Sequence, residues 1–178
     1  MWQGSMELET VPTDVLPGLA LARLLDELAA LLSGVPTEVY RARMVAELSG
    51  SIGEHVRHCL DHVSALVAAD PDATLSYDHR HRGTAIETDR AAALQQIAQL
   101  GDALAEWATR SMDEPIRVAS RLSTAGEAVV GWSTLAREVA FVVSHTIHHQ
   151  AIIGLLLAIH GEPVPGRFGH SPSTPRRH

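Results

Sequence analysis

Lysine is absent from this chain, and all 14 of its basic residues are arginine. Against them stand 21 acidic residues, and the formal net charge is −7. That balance excludes a general nucleic-acid binder, because neutralising phosphates takes clustered Lys and Arg. Cysteine is almost absent too. The single Cys59 rules out an intramolecular disulfide framework, and a reducing, cytoplasmic compartment is expected. The strongest apolar run, "AIIGLLLAI" at Ala151–Ile159, has nine residues, about half of what a membrane span needs. Residues 1–20 lack a basic start and are broken by Pro12 and Pro17, so no secretory leader is expected. Several catalytic signatures are missing as well: HExxH, a serine nucleophile elbow, a glycine-rich phosphate loop and a CxxC pair.

What is present suits one soluble domain over residues 1–178, with 46% hydrophobic residues and room for a real core. Helical spacing of apolar residues runs from Asp14 to Leu32, with Asp14 as N-cap and Gly34 and Pro36 as the stop. A second helix opens at Ser51, where Ser51 and Glu54 match the Ser-x-x-Glu capping box, and closes at Asp70-Pro71. The polar, aperiodic stretch "DPDATLSYDHRHRGTAIE" reads as a loop. A third helix follows from about Thr88 to Ser111. Two short strands around "STAGE" come next, and a fourth helix runs from Ser133 or Thr134 to His160. This order predicts an all-α four-helix bundle with a small β-hairpin before the last helix. Residues 1–12 and 166–178 are expected as flexible ends, the latter alternatively laid over the bundle mouth.

Histidine supplies the chemistry. In "SHTIHHQ" His145 and His149 are four residues apart and share one helix face, which lets two imidazoles reach one ion. His148 points away from that pair. On the second helix His55, His58 and His62 form another stripe, with Asp61 among them. Bundle cores commonly host metals on ligands from facing helices. An i, i+4 histidine pair is also common without metal, and hydrogen-bonded core histidines are the competing account. Cys59 adjoins His58, but neighbours on a helix point about 100° apart, so it is expected as a buried small hydrophobe.

"SIGEHVRHCLDH" and "SHTIHHQAIIG" resemble the DinB superfamily of small metal-binding bundles, which includes the YfiT-like proteins. "YDHRHRGTAIETDRAAAL", "STLAREVAFVVSHTIHHQ" and "FGHSPST" are similar to a subgroup of it. The resemblance implies a triad of one histidine from the second helix and an HxxxH pair from a later one, here His58, His145 and His149. It further implies a divalent metal, zinc or nickel, with open positions for water or substrate. Some relatives are thiol-dependent transferases or isomerases. The alanine-rich, lysine-free composition has an actinobacterial cast, which makes mycothiol the expected low-molecular-weight thiol. Where many relatives continue with Arg-Gly-Gln after the last ligand, this chain has Gln150-Ala151.

Around this triad, Tyr77, Arg80 and Arg82 are the expected substrate contacts. They belong to a polar set with Asp78 and Glu87, and an arginine fork suits a carboxylate. Asp61 is a candidate acceptor orienting an imidazole. Arg137 and Glu138 are expected as a structural ion pair. The reading is thus a bacterial metal-binding bundle acting on a small molecule or thiol, with no nucleic-acid or membrane partner. The alternative is a non-catalytic bundle with a structural or sensory metal. Apolar helix stripes make a homodimer an expectation.

Overall fold

The computed structural model describes residues 17–43, 50–79 and 81–175. Four long helices form a closed ring of contacts: α1 (Pro17–Gly34) and α3 (Ile52–Val67) each pack against both α4 (Arg90–Ala105) and α5 (Leu135–Ile159). A short α2 (Thr37–Arg41), which the sequence pattern did not reveal, follows α1 and buries Tyr40. The expected Asp14 cap lies outside the described residues.

Local chemistry sets each helix boundary. Leu21, Leu25, Leu28 and Leu32 recur at spacings of four and three and bury the inner face of α1. The capping box of α3 is fully formed: Glu54 N–H donates to Ser51 Oγ at 3.2 Å, and Ser51 N–H donates to Glu54 Oε2 at 2.7 Å. At α4 and α5 the N-cap side chain alone does this: Asp89 accepts from Ala91 N–H and Thr134 from Arg137 N–H. Together the helices bury one continuous core that includes Val56, Leu60, Val63, Val139, Val142, Ile153 and Leu157.

By length and composition α5 is apolar enough to cross a membrane, a property the nine-residue run understates. Half of its most apolar stretch is buried inside the fold, where α5 packs against α1 and α3.

The stretch read as a loop contains structure. A strand β1 (Thr74–Ser76) pairs in parallel with β2 (Pro115–Ser120), placing Thr74 opposite Arg117. Strand β3 (Val129–Thr134) pairs antiparallel with β2, and the order is β1-β2-β3. A 3-10 turn, Ala85–Glu87, then crosses the start of α3. Gly53 permits this crossing, since a Cβ there would stand 2.1 Å from the Glu87 carbonyl oxygen. The segment around Phe168 also packs on the bundle. Phe168 is buried, and Gly169 (φ +72) sits so close to α5 that a Cβ would meet the Ala151 nitrogen at 2.4 Å.

Candidate metal centre

Helices α3 and α5 lie side by side and turn their histidines toward each other. His58 Nε2 and His145 Nε2 stand 3.1 Å apart across that contact. Two ligands on one tetrahedral ion, with bonds of about 2.0–2.1 Å, stand roughly 3.3 Å apart, so this pair has the spacing to share an ion. His62 joins them: nitrogens of His58, His62 and His145 all lie within 4.8 Å of one another. The tautomer of His62 follows from its partner. Its Nδ1 is 3.0 Å from the His58 carbonyl oxygen, which can only accept, so Nδ1 carries a hydrogen and the neutral ring has its lone pair on Nε2.

His149 completes the cluster from the next turn of α5. Its ring centre lies 4.7 Å from that of His58 and 4.6 Å from that of His145. Its Nδ1 stands 3.0 Å from Nδ1 of His55. One of those nitrogens donates and the other accepts. With His149 as donor, the lone pair sits on its Nε2, which is the tautomer a ligand needs, and His55 is the partner that holds it. Burial first, then the neighbouring His145 and His55, lower the His149 pKa to about 3. The ring is therefore neutral, as a metal ligand must be.

All three histidines of the expected triad thus meet in one cluster. The three whose nitrogens lie within 4.8 Å of one another, however, include His62 in the place of His149. Sequence reasoning had His62 on the right helix stripe and no way to rank it. His148 is exposed, with its ring 5.2 Å from that of His149.

The surroundings differ from expectation in several places. Tyr77 does reach the cluster, because the β1–β2 pairing delivers it there. Its ring stacks on His62 with centres 5.2 Å apart and 4° between planes, and it also touches Phe141. Burial, and then the Glu138 carboxylate, hold the Tyr77 phenol well above its ordinary pKa, so it stays protonated. Arg82 is exposed and makes no hydrogen bond among the described residues, and Arg80 lies outside them. Asp61, expected to orient an imidazole, accepts from Arg57 at 3.0 Å and contacts the exposed His81 at 3.4 Å. Arg137 and Glu138 form no ion pair. Adjacent helix positions diverge, so Arg137 faces solvent while Glu138, 7% exposed, accepts from Ser133 Oγ–H at 2.6 Å.

A residue the sequence did not single out, Arg57, anchors this end of the bundle. It is buried and pairs with both Asp61 and Glu87 at 3.0 Å, locking α3 to the 3-10 turn. Its one signal was a lone arginine within the apolar spacing of α3. Cys59 is fully buried, and burial pushes its thiol up to about 12, as its reading as a small hydrophobe requires.

Fold and site together define a histidine-lined helical bundle with the donor set for a divalent ion. The chain belongs to the DinB superfamily, whose profile matches residues 20–153 and so spans the whole histidine cluster. A stretch of 101 residues is 32% identical to FK506-binding protein 5 of Rhizopus delemar, covering 56% of this chain and 26% of that protein. The aligned part is therefore about a quarter of that relative's length. No solved structure matches the chain.

Proposed function

We propose that this is a metal-dependent enzyme of the bacterial cytoplasm, built as a four-helix bundle. In it His58, His145 and His149 hold a divalent ion, zinc or nickel, and a low-molecular-weight thiol of the mycothiol type is the co-substrate of an S-transfer. The observation that carries the reading is the 3.1 Å separation of two ring nitrogens on different helices. When bound, such an ion lowers the pKa of a coordinated thiol or water and acts as a Lewis acid. The protein's own groups do the rest. His55 holds the His149 ring, and Tyr77, stacked on His62, with the nearby Phe141 shields one side of that imidazole from water. The Tyr77 hydroxyl, buried and protonated, is a donor for a polar atom of the substrate. Arg80 and Arg82 are the proposed partners of a substrate carboxylate.

One observation favours a second reading. His62 keeps its lone pair on Nε2 within reach of the same point, and four imidazoles would close the coordination sphere. A closed site is a structural or sensory one. Cobalt-substituted, untagged protein separates the two. An open site takes up added thiol and develops a sulfur-to-metal charge-transfer band, and His62→Ala leaves that band in place. If the spectrum ignores thiol in the wild type and responds only in His62→Ala, the site is closed and the enzymatic reading fails.

A further inference from the structure

Four of the seven large hydrophobic side chains exposed among the described residues belong to β3 or the segment leading into it. They are Leu122 (76% exposed), Val129 (55%), Val130 (53%) and Trp132 (72%). Strand β3 is the last in the sheet, and its outer side pairs with no strand among the described residues. Its six residues, "VVGWST", contain no charge and no proline, and its pairing with β2 is continuous with no bulge. Proteins usually blunt a sheet edge with a charge, a proline, a bulge or a covering element. Here none of the first three is present, and the edge keeps its capacity to accept a strand.

We propose that β3 of a second copy of this chain pairs antiparallel with it, extending two three-stranded sheets into one. The strand complements itself. With Gly131 opposite Gly131 on the two-fold axis, Val130 of each copy faces Trp132 of the other, and Val129 faces Ser133. Aromatic pairs with β-branched residues are among the favourable cross-strand pairs. They fall on the outward face, since Trp132 neighbours the exposed Arg117 in the sheet whereas Ser133 neighbours the buried Ile116. Charge selects the same partner. Copies carrying −7 each repel over most of their surface, so a self-interface must be locally neutral, as this strand is. Its flanks are of opposite sign: Glu127 precedes it and Arg137 follows it, both exposed and in no ion pair among the described residues. The two-fold axis brings Glu127 of one copy level with the first turn of α5 of the other, where Arg137 sits. The interface is isologous and closes at two copies.

Sedimentation equilibrium of the full chain tests this over roughly 1–100 μM, where an interface of modest size dissociates. The wild type is expected to dimerise. The double variant Val130→Lys/Trp132→Thr is expected to be monomeric or to dissociate at least tenfold more readily. Leu155→Lys/Ile159→Lys, on the exposed face of α5, is expected to leave the dimer intact. A wild type that stays monomeric overturns the proposal, as does a dimer that survives the strand variant or is lost with the helix variant. Should the strand variant misfold, hydrogen exchange of the wild type decides. Amides of residues 129–134 must be better protected at the higher concentration, and equal protection at both counts against the interface.

Discussion

The two halves of α5 lie in one helix and do opposite things. Residues 135–149 turn Glu138, His145 and His149 inward, toward α3 and Tyr77. Residues 150–159 turn Ile153, Leu156 and Leu157 inward and carry no charge. Burying unpaired polar groups is costly, and burying leucine is favourable by about 1.5–3 kcal/mol per side chain. The second half thus serves the core alone, whereas the first half combines core residues such as Val139 and Val142 with polar groups that converge on partners from α3 and β3.

Substitutions in each half should break this division in different ways. The largest effect on folding is expected from Leu157→Ala in the apolar half. It should cost about 2–5 kcal/mol in denaturant unfolding and leave metal stoichiometry unchanged at low temperature. His145→Ala should do the reverse: chelator competition should register a loss of at least about 100-fold in metal affinity, more than removal of an outer partner costs, with little change in the stability of metal-free protein. His55→Ala, which removes the partner of His149 Nδ1, should weaken metal binding about tenfold or more while stoichiometry at saturating metal is kept.

Acid should act through the polar half as well. His149 has a folded pKa near 3, below the roughly 6.5 of an unfolded histidine, so the unfolded chain takes up the proton first. Metal-free protein should lose stability as pH falls below about 6.5, and His149→Gln should flatten that slope in thermal melts. The smallest effect is expected from Arg82→Ala, exposed and unbonded among the described residues. Stability should move by less than about 0.5 kcal/mol, and a change in thiol-dependent turnover alone would mark it as a substrate contact.

Much of this was legible in the sequence because it is local. The Ser51–Glu54 box, the start of the last helix at Thr134 and the stripes on α3 and α5 are written within four residues. What escaped is set by distant partners. Strand β1 is three residues long, too short for a period, and exists because β2 lies beside it some forty positions later. Spacing puts His55, His58 and His62 on one stripe of α3, but only the crossing with α5 decides which faces His145 and which faces His149. The contact between Glu138 and Ser133 rather than Arg137 likewise depends on how β3 runs into α5.

Cys59 has a practical consequence. It is the chain's one thiol, sits on the core face of α3 and at neutral pH is almost wholly uncharged, so alkylating reagents should pass it by. The protein is in effect a blank for site-directed labelling. A cysteine introduced at an exposed position such as Val130 or Leu155 becomes the single reactive handle, and a spin label or fluorophore placed there can report distances without first removing a native residue.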